Sequence, residues 1–175
     1  IFTFDRFAIK DIGGLEVLGA YVFFASMASA IQSFLDTIVI SFAFPELSKL
    51  AAEKKYKEFW LAFRRFALKT FSMSVFLCVC CWLSGLLVLH WLDNPLYDKW
   101  YSLFILLIVA TFIYCLSLIP HLGLYALRND GVIIKSQVAA LIVFVCAIIV
   151  SVMTGSVFMV PVGMLISFAV LLIWI

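Results

Sequence analysis

Ser26, Ser29, Ser33 and Asp36 are spaced three, four and three residues apart within a long apolar stretch, with Gln32 adjoining. This spacing puts all four on one face of an α-helix, because residues three and four apart stack one above another. Hydroxyls, an amide and a carboxylate on one face can hold a cation or the polar group of a substrate. An ionisable side chain within an apolar span costs several kcal/mol to expose to hydrocarbon, so it faces protein or water. The expectation is a stripe lining a hydrated cavity, in which Asp36 meets a substrate polar group or a coupling cation. Two plainer readings compete. Ala25, Ser29 and Ser33 also form a small-residue ridge of the kind that lets helices approach closely in lipid. The span 17–44 covers roughly 42 Å at about 1.5 Å per residue, more than the roughly 30 Å of hydrocarbon, so Asp36 near an interface would simply be wet.

A second set lies further along. Tyr114, Ser117, His121, Tyr125 and Arg128 share one broad helical face, and Pro120 frees a backbone carbonyl one turn earlier. A lone histidine in such a helix is more often a packing residue satisfied by one hydrogen bond than a proton carrier; the neighbouring hydroxyls and the kink strengthen the functional reading. Arg128, beside Asn129 and Asp130, reads first as an orientation signal. Asp5, Arg6, Lys10 and Asp11 crowd the start of the chain, where an ordinary loop is favoured over ion pairs at a cavity mouth. Ala147, Ser151 and Gly155 repeat every four residues as a packing ridge. The five cysteines, at 78, 80, 81, 115 and 146, sit in apolar runs without ligand-like spacing and read as small packing residues. The two histidines, His90 and His121, are far apart, and neither a Gly-rich phosphate loop nor a pair of acids at reacting distance appears. An enzyme is therefore disfavoured, and the pattern calls for no cofactor, metal or nucleic acid.

The elements that must position these residues follow from composition. The chain of 175 residues is 66% hydrophobic and only 13% charged, with a mean hydropathy of +1.21. Too few polar side chains remain to cover a water-facing surface. Its apolar runs exceed the roughly 20 residues that span a bilayer, and stretches such as "LFILLIVA" lack the alternation of a barrel strand. The fold expected is an all-α polytopic transmembrane bundle of about five spans, at about 15–44, 59–92, 100–127, 132–152 and 157–175. Pro45 is expected to close the first span. Residues 1–14 read as the end of a preceding helix and an outer loop punctuated by Gly13-Gly14.

Charge placement gives an orientation. The stretch from Glu46 to Lys69 holds seven of the twelve Lys and Arg residues, and the cation counts of successive connections alternate as 7, 1, 2 and 0. The positive-inside rule then puts the lysine-rich connection in the cytoplasm. Within it Leu47, Leu50, Ala51, Tyr56, Phe59 and Phe63 recur at near-helical spacing, so the connection either lies along the membrane surface or forms a solvated helical hairpin. Trp91, Trp100 and Tyr101 flank the opposite loop as interfacial anchors.

In order along the chain, "DRF" at 5–7, "LGAYVFFASMAS" at 18–29, "FPELSKLAAEKKYKEF" at 44–59, "RRFALK" at 64–69 and "LYALRND" at 124–130 resemble the carboxy-terminal half of bacterial polysaccharide flippases. These are the Wzx-type O-antigen and capsule transporters of the multidrug/oligosaccharidyl-lipid/polysaccharide exporter superfamily. The resemblance implies a bundle of two related halves around a central cavity in the bacterial inner membrane. It implies alternating-access transport of an undecaprenyl-diphosphate-linked oligosaccharide, with the phospholipid bilayer and polysaccharide polymerase machinery as further partners. On that basis Ser29, Gln32, Ser33, Asp36, His121 and Tyr125 are the expected substrate contacts. The start at Ile1 and the stop inside an apolar run read as a fragment of a longer transporter. Few cations lie within the spans to meet a diphosphate, a departure from what such a substrate needs. A cation-coupled drug exporter of the same superfamily and a non-transporting membrane assembly subunit are the alternatives.

Overall fold

Backbone groups in hydrocarbon have no water to bond, so an apolar chain must satisfy them within helices. The computed structural model describes residues 4–174, and every regular element among them is helical. In order these are α1 (Phe4–Leu35), a π-helical turn (Asp36–Ile40), α2 (Ser41–Ala52), α3 (Tyr56–Leu92), α4 (Pro95–Lys99), α5 (Tyr101–Ala126), α6 (Asp130–Thr154) and α7 (Met159–Trp174). Four stretches are long and apolar enough to cross a membrane: Phe4–Ala52, Tyr56–Leu92, Tyr101–Ala126 and Asp130–Thr154. The fifth, α7, is equally apolar but has only 16 residues. The protein is an all-α transmembrane helix bundle. The expected spans 59–92, 100–127, 132–152 and 157–175 correspond to α3, α5, α6 and α7 with ends shifted by at most three residues; Ile175 lies outside the described residues.

The first span differs from expectation at both ends. Residues 4–13 form a separate helical arm, as the end of a preceding helix would, but a break at Gly14 takes the place of the expected outer loop and folds the arm back on the remainder of α1. Gly14 adopts φ 76 and ψ −174, a left-handed extended conformation open only to glycine. The consequence is visible in the Tyr21 hydroxyl, which donates to Asp5 Oδ2 at 2.7 Å. Sixteen residues of straight helix would hold the two roughly 24 Å apart. At the other end the helix does not stop at Pro45 but runs on to Ala52. One proline removes a single donor, and here the backbone has already widened: the N–H of Ser41 reaches back five residues to the carbonyl of Asp36, which also accepts from Ser41 Oγ at 2.8 Å. Burial then holds the extension, since Leu47 is fully enclosed with Phe59 and Phe66 of α3.

Those burials make the lysine-rich connection a packed hairpin. Leu47, Leu50, Ala51, Phe59 and Phe63 fill the seam of an α2–α3 hairpin, Tyr56 stays exposed, and Lys54 takes the tight turn with φ 56. Lys55 Nζ pairs with Glu53 at 2.7 Å, which holds the Glu53 carboxyl below its usual range and the Lys55 ammonium above its own. On the opposite side Asn94 caps α4 by accepting from the Leu96 N–H at 3.0 Å, with Pro95 at the first helical position. Trp82 Nε1 donates to the Tyr101 hydroxyl at 2.8 Å, tying α3 to the start of α5.

α7 packs most extensively, wedged against both α5 and α6, and α5 in turn meets α1 and α3. The main core joins Tyr21 and Phe24 of α1 to Phe104 of α5, Phe144 of α6 and Met164 of α7. The small-residue ridge of α6 packs at two of its three positions; the third, Gly155, is instead the exposed left-handed cap that ends the helix, with φ 65. Gly163 of α7 lies against the Ala147 side chain so closely that a Cβ would overlap it, and Ser151 is fully buried.

Candidate functional site

α1 buries one face, Ala20, Tyr21, Phe24, Ala28, Ile31 and Leu35, and turns the polar stripe away from it. Ser26, Ser29 and Ser33 are exposed, while Gln32 and Asp36 are partly so; no described helix covers the serines, and α5 meets the edge of this face at Gln32 and Ser29. The hydroxyls are locally satisfied as donors. Ser26 donates to the Val22 carbonyl at 2.8 Å, Ser29 to Ser26 at 2.8 Å, Ser33 to Ser29 at 3.3 Å and Thr37 to Ser33 at 2.9 Å. Each oxygen keeps lone pairs that can accept from a ligand or water. The small-ridge reading therefore fits α6 at Ala147 and Ser151 but not α1, where Ser29 and Ser33 are exposed. The stripe ends at the π-helical turn beginning with Asp36, a backbone irregularity frequently found at functional sites.

Neighbours across the bundle fix the depth of the stripe. Gln32 Nε2 donates to the Tyr114 hydroxyl at 3.3 Å. Tyr114 stands at the middle of the 26-residue α5, in a stretch from Trp100 to Leu127 that contains no charged residue. Asp36, one turn beyond Gln32, lies within electrostatic reach of Tyr114 and Cys115. Its carboxylate thus lies about one turn, roughly 5 Å, from the centre of the α5 span on the side of the charged hairpin.

Tyr114 also lines a cleft of about 40 Å³ with Ser117, His121, Gln137 and Leu171. That volume admits a water molecule, and the lining offers the polar partners it needs. Of the residues expected to touch substrate, the structure gathers Gln32, Asp36 and His121 around Tyr114 and places Ser29 and Ser33 on the open face above them. Tyr125 stands apart. Its ring packs on Phe44 with centroids 5.4 Å apart, beside a separate cavity of about 640 Å³ bordered by Lys54, Arg128 and Asp130 at the cation-rich end.

Tyr114 and Asp5 carry more than the sequence pattern assigns them. Tyr114 is legible as part of a stripe, but only the fold makes it the link between α1 and the His121 cleft. Asp5 is 1% exposed and accepts from both Tyr21 and the Arg6 N–H, the latter at 2.8 Å. Its one signal is the Gly13-Gly14 pair, which permits a reversal without saying what the reversed arm meets. Among the described residues no three His, Cys, Asp or Glu side chains group as metal ligands would. The arrangement can accept and donate hydrogen bonds and offer one carboxylate to a cation. Set against known protein families, curated proteins and solved structures, the chain finds no match.

Proposed function

We propose that the protein is a membrane transporter that moves a lipid-linked oligosaccharide across the bacterial inner membrane by alternating access. The cargo in this reading is an undecaprenyl-diphosphate-linked O-antigen or capsule repeat unit, and no bond is made or broken. The observation that carries it is the uncovered serine face of α1, level with the middle of α5, on a bundle whose α6 face is apolar. A carrier of this kind must shelter a polar headgroup at mid-membrane while its lipid tail stays in the bilayer. Ser29, Gln32 and Ser33 offer hydrogen bonds to sugar hydroxyls. Asp36 answers a sugar hydroxyl or a coupling cation, and His121 with Tyr114 forms the inner wall. Tyr125 acts nearer the cation-rich end, which faces the cytoplasm.

The test is surface glycan in the native host carrying Asp36→Asn or Asp36→Ala. Loss of export by both, with normal protein abundance in the membrane, is expected; full export by both removes the carboxylate from the reading. A single acid about one turn from mid-depth also favours a second reading, export of drug cations. A deletion strain that becomes drug-sensitive with an unchanged glycan profile would select it.

A further inference from the structure

A groove of about 810 Å³ runs between the π-turn and α2 on one side and the first half of α3 on the other, away from the polar stripe. Its two ends differ in chemistry. Phe42, Met73 and Phe76 line one end; Glu46, Arg65 and Lys69 line the other. Arg65 and Lys69 are four residues apart, so their charges project from one face of α3 one turn apart. No acidic group lies within ion-pair distance of either among the described residues, where Lys55–Glu53 is the ion pair formed.

Their level is set by the chain itself. Residues 70–89 contain no charged residue or histidine, and 20 helical residues span roughly 30 Å, the hydrocarbon thickness. Lys69 therefore stands at the edge of the hydrocarbon and Arg65 one turn further out, at the depth of lipid phosphates. Basic pockets between transmembrane helices at this depth suit phosphate headgroups. The acid selects among them. A purely anionic headgroup would leave the Glu46 carboxylate facing phosphate, whereas a headgroup bearing both a phosphate and a primary ammonium meets all three charges.

We infer that this groove holds one membrane lipid of the phosphatidylethanolamine class. Its phosphate lies between Arg65 and Lys69, its ammonium at Glu46, and an acyl chain along Phe42, Met73 and Phe76. The site is independent of what the protein carries, since none of its residues belongs to the α1 stripe or the His121 cleft.

Native mass spectrometry of the full protein, released from membranes into detergent and offered equal amounts of phosphatidylethanolamine and phosphatidylglycerol, tests this. Wild type is expected to keep one phosphatidylethanolamine per chain. Arg65→Ala with Lys69→Ala should lower that retention about tenfold, while the charge-preserving pair Arg65→Lys with Lys69→Arg keeps it, separating lost charge from lost fold. Glu46→Gln should shift the preference to phosphatidylglycerol. The inference is overturned by equal retention of the two lipids in wild type, by unchanged retention in the alanine pair, or by a headgroup preference that Glu46→Gln does not move. A lipid-free wild type, with a second protein chain covering the groove, overturns it equally.

Discussion

α1 and α6 carry the same kind of motif and use it in opposite ways. Each has small residues every four positions, Ala25, Ser29 and Ser33 in one and Ala147, Ser151 and Gly155 in the other. In α6 the motif faces inward at its first two positions, with Ser151 buried and Gly163 pressed on Ala147, while Gly155 caps the helix end. The outward residues between 138 and 153 are all apolar, Leu141, Ile142, Val145 and Ile149 among them. In α1 the serines face outward and the bulky residues Tyr21, Phe24, Ile31 and Leu35 are buried. A small-residue repeat thus says that something can come close; its neighbours on the same side of the helix decide whether that is another helix. In α6 those neighbours are apolar, Phe144 and Ile148, and the side is packed, whereas in α1 they are Ser26, Gln32 and Asp36, and the side is left to water or a ligand.

A charge placed on each face gives the widest separation. Ile142→Arg sits at the midpoint of α6 and should cost about 3 kcal/mol of insertion, roughly a hundredfold in the equilibrium. The variant should fail to accumulate in membranes by immunoblot, whereas Ser33→Arg accumulates as wild type does. Equal loss of both would erase the distinction between the faces. Smaller effects are expected inside the bundle, read as thermal midpoints in detergent. Tyr21→Phe removes the hydroxyl that Asp5 accepts and leaves a buried carboxyl short of a donor, at a cost of about 2 kcal/mol. Gly163→Ala forces a methyl into Ala147 and should cost about 1–3 kcal/mol; a neutral result would mean that the α6 ridge is not a close contact.

The smallest effect belongs to the exposed hairpin. Glu53 has its carboxyl depressed by Lys55, so the pair stabilises the turn above the ordinary carboxylate range, and that contribution fades as pH falls through the lowered value. Seen from Lys55, whose value is raised, it is complete below the ordinary lysine range and lost as pH climbs through the raised one. Both side chains are solvated, so Glu53→Gln should leave the midpoint nearly unchanged at neutral pH and flatten only the slight drop in acid.

Much of the architecture is readable from the residues. Spans of apolar length, the break between the fourth and fifth of them and the serine-aspartate face each follow from local period and composition, which a lipid environment makes strict. The departures share one cause: a breaker residue has two outcomes, and distant contacts choose between them. Gly14 has the local signature of a loop edge but turns a helix back on itself, because Tyr21 offers Asp5 a partner sixteen residues away. Pro45 has the local signature of a stop but is carried through by the π-turn before it and the burial of Leu47 after it. At the site, helical spacing gives the α1 face and the His121 face separately. Only packing joins them, through Gln32 and Tyr114, and separates Tyr125 from both.

Wetness of the α1 face is most directly measured with single cysteines in a background whose five native cysteines are replaced. Ser33→Cys and Val145→Cys, each in membranes opened to both sides, would be treated with a water-soluble maleimide that does not partition into lipid. Fast labelling at 33 and protection at 145 is the result expected of a hydrated polar face beside a lipid-facing apolar one. Equal protection at both positions would contradict it, placing the serines and Asp36 against lipid or sealed protein.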